Sequence, residues 1–206
     1  MLTVAVPKGR ILSKLGALLT RAGLDASPLG VEDRKLERTT ADGSVRYLFL
    51  KPDDVPTYVE YGAADLGFSG RDVLDERGYD LYRPLDLGVG RCRLVVARPE
   101  GDREVPEIPR VATKFPKLAE RHFLSKGVQA EIVYVGGSVE LAPLVGLADL
   151  IVDLVESGAT LRENQLREVE TIVEVSTLLV ANRATYKLKA AEVAPYVDAL
   201  RKATAR

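Results

Sequence analysis

At five places in the sequence, a short apolar run is followed directly by a junction of small or basic residues. Each junction contains glycine or a hydroxyl residue, and most also contain lysine or arginine. Glycine lets backbone N–H groups approach an anion, hydroxyl groups donate hydrogen bonds, and Lys or Arg neutralises negative charge. One such junction is weak evidence because turns use Gly and Ser anyway, but five in one chain indicate a ligand with several phosphates. The five junctions are Pro7–Arg10, Ser69–Asp72, Thr113–Lys114, Gly136–Ser138 and Ser157–Thr160.

The last junction carries the most chemistry. Residues 149–155 form a buried apolar run that contains Asp149 and Asp153, and the loop 156–160 follows it directly. A carboxylate at the end of a buried strand can hold ribose hydroxyls, and a small-residue loop can bind a monophosphate through backbone N–H groups. The pattern is therefore typical of a ribose 5-phosphate site. The alternative is that Thr160 caps a helix and Asp153 caps the loop.

Short β-branched runs alternate with amphipathic helical patterns along the chain. Apolar residues recur at spacings of three and four from Ile11 to Ala22, which predicts a helix that Gly23 ends. The alternation predicts an α/β fold with parallel strands. We predict strands over 2–6, 46–50, 64–68, 91–98, 110–113, 130–135, 149–155 and 169–180. We predict helices over 11–22, 53–62, 116–126 and 183–205, shorter ones that end at Gly78 and near Gly146, and one that begins near Leu161.

The composition excludes several classes of protein. Lys and Arg number 29 against 30 Asp and Glu, so the net charge of −1 provides no global field for nucleic acid. A single cysteine, Cys92, and a single histidine, His122, cannot build a typical zinc site or a disulfide. No apolar run approaches the roughly 18 residues of a membrane span, and the N-terminus lacks a signal-peptide pattern. We expect a cytoplasmic protein with neither a membrane nor a nucleic-acid partner.

Familiar nucleotide and hydrolase motifs are missing from the sequence. It contains neither the G-x-x-x-x-G-K-[ST] phosphate loop nor the G-x-S-x-G nucleophile turn. A Ser/His/Asp triad would require His122, which lies in the predicted amphipathic helix 116–126. The chemistry must therefore use the five junctions in another way.

Several segments resemble one known family, in order and over nearly the whole chain. They are Val6–Leu12, Asp33–Leu36, Asp54–Glu60, Ala64–Leu74, Glu140–Leu147, Asp149–Asp153 and Ser157–Arg162. The chain resembles the catalytic subunit of the ATP phosphoribosyltransferases in its short form. The resemblance implies two α/β lobes like those of a periplasmic binding protein, each a mostly parallel sheet flanked by helices, with the active site in the cleft. The first lobe would comprise residues 1–88 with 179–206. The second would comprise 89–178 and carry the phosphoribosyl-phosphate loop.

The resemblance also implies a reaction and a partner. ATP would be joined through adenine N1 to C1 of phosphoribosyl pyrophosphate, releasing pyrophosphate, as the first step of histidine biosynthesis. Mg²⁺ would bridge substrate oxygens, so no protein ligand to the metal is assigned. Long-form relatives carry an extra regulatory domain, which we expect to be absent here. Short forms pair with a histidyl-tRNA-synthetase-like regulatory subunit, commonly as a hetero-octamer.

The family's functional residues map onto the junctions. The catalytic residues implied are Arg10, Arg34 and Lys8. The residues implied for phosphoribosyl pyrophosphate are Gly9, Asp153, Glu156, Ser157, Gly158, Ala159 and Thr160, and those for ATP are Ser69, Gly70, Arg71 and Asp72. Lys51 stands where some relatives have arginine, and its role is left open. The same fold would also suit an anion receptor or a structural subunit of a larger enzyme, because fold alone does not determine function.

Overall fold

The computed structural model describes residues 1–31, 33–101 and 104–205. The strands in these ranges are β1 (Leu2–Pro7), β2 (Glu37–Thr39), β3 (Val45–Leu50), β4 (Leu66–Gly70), β5 (Tyr82–Pro99), β6 (Arg110–Thr113), β7 (Glu131–Tyr134), β8 (Leu150–Val155) and β9 (Leu166–Ala181). The helices are α1 (Arg10–Arg21), α2 (Val55–Glu60), α3 (Arg71–Arg77), α4 (Pro116–Ser125), α5 (Ala159–Glu163), α6 (Arg183–Leu188) and α7 (Ala190–Thr204).

The chain forms two compact units. The first unit comprises Met1–Leu74, Gly78–Gly90 and Ser176–Arg206. The second comprises Asp75–Arg77 and Arg91–Val175. Both β5 and β9 run from one unit into the other, so the chain passes between the units within strands.

The sheet of the first unit is mixed around a parallel centre. Its strand order is β2-β3-β1-β4-β9, and β1 pairs in parallel with both β3 and β4. Strand β2 is antiparallel to β3, and the C-terminal half of β9 is antiparallel to β4. Every residue of β1 is buried because both faces of the sheet are covered. Its Val4 and Val6 join one core and Ala5 joins the other, as the alternation of a strand requires.

Helix α1 covers one face of this sheet. Its Leu15, Leu18 and Leu19 are at most 1 % exposed, and each contributes about 2 kcal/mol through burial. The helix ends where Gly23 takes a φ of +74°, and the N–H of Leu24 donates to the Leu19 carbonyl at 2.9 Å. The helix predicted over 11–22 is thus confirmed to within one residue at each end.

The second unit has a sheet of order β5-β8-β6-β7. Strand β6 is parallel to both β7 and β8, and β5 is antiparallel to β8. One face packs against α4 through Phe115, Leu118 and Phe123. The other packs against α5 through Leu161 and against the segment that contains Val139. Because both faces of the sheet are covered, β8 is mostly apolar, as expected for a buried strand.

The C-terminal segment differs from the single helix predicted over 183–205. It is divided into α6 and α7 at Lys189, whose Nζ lies 2.9 and 3.0 Å from the two carboxylate oxygens of Asp65. Asp65 is 5 % exposed and also accepts a hydrogen bond from the N–H of Thr3 at 2.8 Å. These contacts join β1, the residue before β4 and the α6–α7 junction. The three segments are far apart in sequence, so local helix propensity could not predict the break at Lys189.

Four further predictions from periodicity were wrong in extent. The helix expected to end near Gly146 is only a 3-10 turn, Val139–Leu141, followed by turns, because Pro143 has no N–H to continue a helix. Strands β5 and β9 are longer than the predicted 91–98 and 169–180. Strand β4 begins two residues later than predicted and includes Ser69 and Gly70.

Candidate active site

Basic and glycine residues gather at one edge of the first unit's sheet. Lys8 follows β1, Lys51 follows β3, and Arg71 follows β4. These strands are parallel neighbours, so their carboxyl ends meet at the same edge, about 4.8 Å apart from strand to strand. The side chains of all three residues are exposed.

Arg34 lies at the same edge although it is far from Arg10 in sequence. Strand β2 is antiparallel to β3 and pairs Glu37 with Leu48, so the residues that precede β2 lie where β3 ends. The N–H of Phe49 donates to the carbonyl of Leu36 at 2.8 Å, which continues this register. Arg34 is exposed two residues further toward the edge.

Neighbouring contacts hold the segment that carries Arg34. The guanidinium of Arg38 pairs with the Asp33 carboxylate, donates to the Pro28 carbonyl at 2.9 Å, and stacks 4.7 Å from the Phe49 ring centroid. The Asp33 carboxylate also accepts the N–H of Lys35 at 2.7 Å. Residues on both sides of Arg34 are therefore fixed while its own side chain reaches solvent.

Gly9 forms the turn between β1 and α1. Its φ is +95°, a conformation that side-chain-bearing residues rarely adopt, and a Cβ on Gly9 would meet nothing within 4 Å. The N–H of Lys8 donates to the Leu50 carbonyl at 2.8 Å, and Arg10 opens α1 with an exposed side chain. The turn is thus fixed by backbone geometry and leaves open space above it.

The Ser69–Asp72 junction differs from the others because two of its side chains are buried. Ser69 is 1 % exposed inside β4, and Asp72 is 8 % exposed. A Cβ on Gly70 would lie 2.2 Å from Oδ1 of Asp72, so only glycine permits this carboxylate to lie against the strand end. Arg71 is the member of the junction with an exposed side chain.

A second group of sequence-predicted residues gathers at one edge of the second unit's sheet. The loop 156–160 follows β8, Lys114 follows β6, and Gly136–Ser138 follow β7. These strands are parallel, so the three junctions again lie at a common edge. Within this edge Thr113 is structural, because its hydroxyl is buried, donates to the Val152 carbonyl at 2.7 Å and accepts the Phe115 N–H at 2.9 Å.

Asp153 is a half-buried carboxylate near the end of β8. Burial raises its pKa above the usual value, and the negative charge of Glu140 raises it further. The N–H of Leu154, which donates at 2.8 Å, and the positive charge of Lys114 act in the opposite direction. The carboxylate accepts from its own neighbour in the strand, so it does not cap the following loop through that bond.

The loop 156–160 turns sharply at Gly158, whose φ is +74°. Oγ of Ser157 accepts the Ala159 N–H at 3.3 Å, and α5 begins at Ala159. The N-cap residue of α5 is Gly158, and Thr160 is the second residue of the helix. The alternative that Thr160 serves only as a helix cap is wrong. Glu156, Ser157 and Thr160 are exposed.

The single histidine and the single cysteine lie in the packing of the second unit. His122 lies in α4 with its Nε2 3.3 Å from the Glu170 carboxylate, and Cys92 packs at the margin of the second unit's core. Among the described residues, no group of three or more His, Cys, Asp and Glu side chains is arranged to hold a metal ion. No helix in the described part of the chain combines the length and apolar character of a membrane span.

Comparison with known sequences identifies the family. The family model described as HisG, ATP phosphoribosyltransferase, matches residues 51–202. The ATP phosphoribosyltransferase of Sorangium cellulosum is 69 % identical over 204 residues, which cover 99 % of this chain and 96 % of the relative. The chain belongs to the ATP phosphoribosyltransferase family. The resemblance, the enzyme class and the place in histidine biosynthesis predicted from the sequence are confirmed.

Solved structures agree with this membership. A chain of the ATP phosphoribosyl transferase (HisG:HisZ) complex from Thermotoga maritima superposes with a TM-score of 0.85 at 38 % identity, covering 99 % of this chain and 98 % of that chain. The alkanesulfonate-binding protein SsuA from Xanthomonas axonopodis pv. citri, bound to MOPS, has a TM-score of 0.58 at 14 % identity, covering 98 % and 72 %. At that identity the likeness shows the fold alone. The α/β class like that of a periplasmic binding protein is confirmed.

The raised pKa of Asp153 predicts a stabilising substitution. The pKa of Asp153 in the folded protein exceeds its unfolded value of about 3.9. At pH values above the raised pKa, the charged carboxylate therefore lowers the free energy of unfolding, and this loss disappears below about pH 3.9. Asp153→Asn should therefore increase the free energy of unfolding at pH 7, with an advantage that shrinks toward pH 4. Urea unfolding at both pH values measures this.

Asp149→Asn is the control for Asp153→Asn. Asp149 precedes β8, and its carboxylate accepts the Arg110 N–H at 2.9 Å and lies 3.8 Å from the Arg110 guanidinium. Removing that charge should bring no gain at pH 7. An Asp153→Asn variant less stable than the wild type at pH 7 would contradict the prediction.

Proposed function

We propose that this ATP phosphoribosyltransferase binds the ribose 5-phosphate part of phosphoribosyl pyrophosphate with Asp153 and the loop 156–160. The observation that carries the proposal is the arrangement at the end of β8, where a half-buried carboxylate precedes a glycine turn with exposed small residues. This segment lies inside the region matched by the family model. Asp153 would accept hydrogen bonds from the ribose hydroxyls, and the loop from Glu156 to Thr160 would surround the 5-phosphate.

The cationic side chains at the first unit's edge are proposed to stabilise the leaving pyrophosphate. In the reaction, adenine N1 of ATP bonds to C1 of the ribose as the bond from C1 to the pyrophosphate oxygen breaks. Negative charge grows on the departing pyrophosphate, and fixed cations that meet it stabilise the transition state more than the ground state. Arg10 and Arg34 would supply this charge, assisted by Lys8 beside the Gly9 turn. Their exposed positions at one sheet edge support this role.

ATP would be bound by the Ser69–Asp72 junction. Arg71 is exposed and can pair with phosphate oxygens, whereas the buried Ser69 and Asp72 shape the strand end beneath it. Gly70 is required here because the Asp72 carboxylate occupies the space of a Cβ. Direct ATP contact is thus assigned to Arg71 and the adjoining backbone.

Mg²⁺ fits this donor set as an ion held mainly by its substrates. Mg²⁺ commonly binds substrate phosphates and several waters with only one or two carboxylates. When bound, the ion would neutralise charge on the pyrophosphate oxygens.

The partner proposed for this chain is a histidyl-tRNA-synthetase-like regulatory subunit in a hetero-octamer. Support comes from the Thermotoga maritima chain, which belongs to a HisG:HisZ complex and is matched over 98 % of its length. A cytoplasmic location is proposed with it, as suits an enzyme of amino-acid biosynthesis.

Arg10→Ala tests the role of the first unit's edge. Removing one donor to the leaving pyrophosphate should lower kcat by about 10²-fold in a pyrophosphate-release assay with ATP, phosphoribosyl pyrophosphate and Mg²⁺. The KM values should change less than kcat, because the interaction strengthens as the bond breaks. Arg21→Ala, an exposed arginine in the last turn of the same helix, is the control. Normal turnover by Arg10→Ala would remove Arg10 from the mechanism.

Gly158→Val and Thr160→Ala test whether the loop 156–160 binds phosphoribosyl pyrophosphate, and both should mainly weaken that binding. Valine at a φ of +74° is strained and intrudes on the phosphate position, so KM for phosphoribosyl pyrophosphate should rise about tenfold or more while KM for ATP changes little. Gly127→Val is the matched control, because Gly127 has a φ of +70° in a turn after α4. Equal losses for both substrates would contradict the assignment of this loop.

The regulatory partner is tested with histidine. Allostery requires a second site and two states that an effector distinguishes. We expect the purified chain to show little inhibition at histidine concentrations that shut down its complex with the regulatory subunit. Adding that subunit should restore inhibition and shift the mass in solution to that of a mixed oligomer. Strong non-competitive inhibition of the chain alone would contradict this proposal.

A further inference from the structure

The side chain of Arg162 folds back from α5 onto the loop that precedes the helix. Its Nη1 donates to the carbonyl oxygen of Ser157 at 3.2 Å. The same nitrogen lies 3.1 Å from the place where a Cβ on Gly158 would be. The guanidinium therefore lies beside Gly158, so a side chain there would have to displace it slightly in addition to adopting the strained positive φ.

This contact fixes the orientation of one peptide plane. The peptide unit is planar and trans, so the carbonyl of Ser157 and the N–H of Gly158 point in opposite directions. Because the carbonyl is held toward Arg162, the N–H of Gly158 points away from the guanidinium. Without that bond the plane before a glycine can rotate at little steric cost and present the carbonyl instead.

Other carbonyls at this turn are also bonded back to α5. The Gly158 carbonyl accepts the Arg162 N–H at 3.1 Å, and the Thr160 carbonyl accepts Nδ2 of Asn164 at 2.9 Å. A carbonyl turned toward a phosphate would repel it, whereas an N–H attracts it. Arg162 and Asn164 thus draw carbonyl oxygens toward the helix.

We propose that Arg162 is a positioning residue that keeps the Ser157–Gly158 peptide in the orientation that binds phosphate. This inference rests on the proposed role of the loop 156–160 in binding phosphoribosyl pyrophosphate. Arg162 acts through the Ser157 carbonyl and does not itself contact the substrate. Its loss should affect phosphoribosyl pyrophosphate and spare ATP.

Steady-state kinetics of Arg162→Ala and Arg162→Lys in the full chain provide the test. Arg162→Ala should raise KM for phosphoribosyl pyrophosphate about tenfold, as expected for one lost charge-assisted hydrogen bond, with KM for ATP within about twofold of the wild type. Arg162→Lys keeps a donor for the carbonyl and should recover part of the loss. Dilute guanidinium ion added to Arg162→Ala should also lower KM. Arg167→Ala, which removes an exposed arginine on β9, should leave both KM values unchanged.

Salt dependence separates positioning from direct contact. A positioning role leaves the slope of log KM for phosphoribosyl pyrophosphate against log salt concentration as in the wild type. A markedly smaller slope in Arg162→Ala would assign the guanidinium to the phosphate itself and overturn the proposal.

Gly158→Val separates failure of this inference from failure of the proposed function. An unchanged KM in Arg162→Ala, with a raised KM in Gly158→Val, would overturn the inference and leave the loop assignment standing. If neither variant affects KM for phosphoribosyl pyrophosphate, both are overturned. Equal losses for both substrates with a lowered urea midpoint would show general destabilisation and also overturn the inference.

Discussion

Parallel pairing around β1 and around β6 is the constraint on which the rest of the structure depends. Parallel strands place their carboxyl ends at one edge, so the segments that follow them gather there whatever their separation in sequence. This geometry brings Lys8, Lys51 and Arg71 to one edge of the first unit. In the second unit it does the same for Lys114 and the loop 156–160. The residues proposed to be functional need no helix or strand of their own because they occupy the ends of elements required by the fold.

Parallel strands also require helices on both faces, and the cores reflect this. Each sheet has two clusters of buried side chains, one on each face, and β1 is buried throughout. A polar group inside such a layer must be satisfied within the protein. Asp65 meets that requirement with the Thr3 N–H and Lys189, and Thr113 meets it with two backbone groups. These contacts satisfy the buried polar groups at the start of β1 and β4 and at the end of β6.

The charge distribution differs between the two edges. The first unit's edge presents lysines and arginines, although the whole chain has a net charge of −1. The second unit's edge presents glycine, serine and threonine after a half-buried carboxylate. The first arrangement agrees with the role proposed for it toward the leaving pyrophosphate, and the second agrees with the role proposed for it toward the ribose and its phosphate. Burial of Asp153 disfavours its charged form, so the fold gives up stability where the ribose is proposed to bind.

The sequence by itself determined most local elements and the segments proposed to carry the chemistry. Helix α1 was predicted from apolar spacing, strand β6 from a β-branched run, and the loop after Asp153 from its small residues, because each depends on neighbours a few positions apart. Family membership was also readable, since ordered motifs span nearly the whole chain.

Only the tertiary structure decided which residues become neighbours. The antiparallel register of β2 places Arg34 at the edge that also carries Lys8, and Lys189 divides the last helix where it meets Asp65. The guanidinium of Arg162 returns to the Ser157 carbonyl, although sequence reasoning could equally make it a solvated helix charge. The physical reason is common to all three. Strand register and the packing of distant segments are set by burial and hydrogen bonding across the fold, which local spacing does not encode.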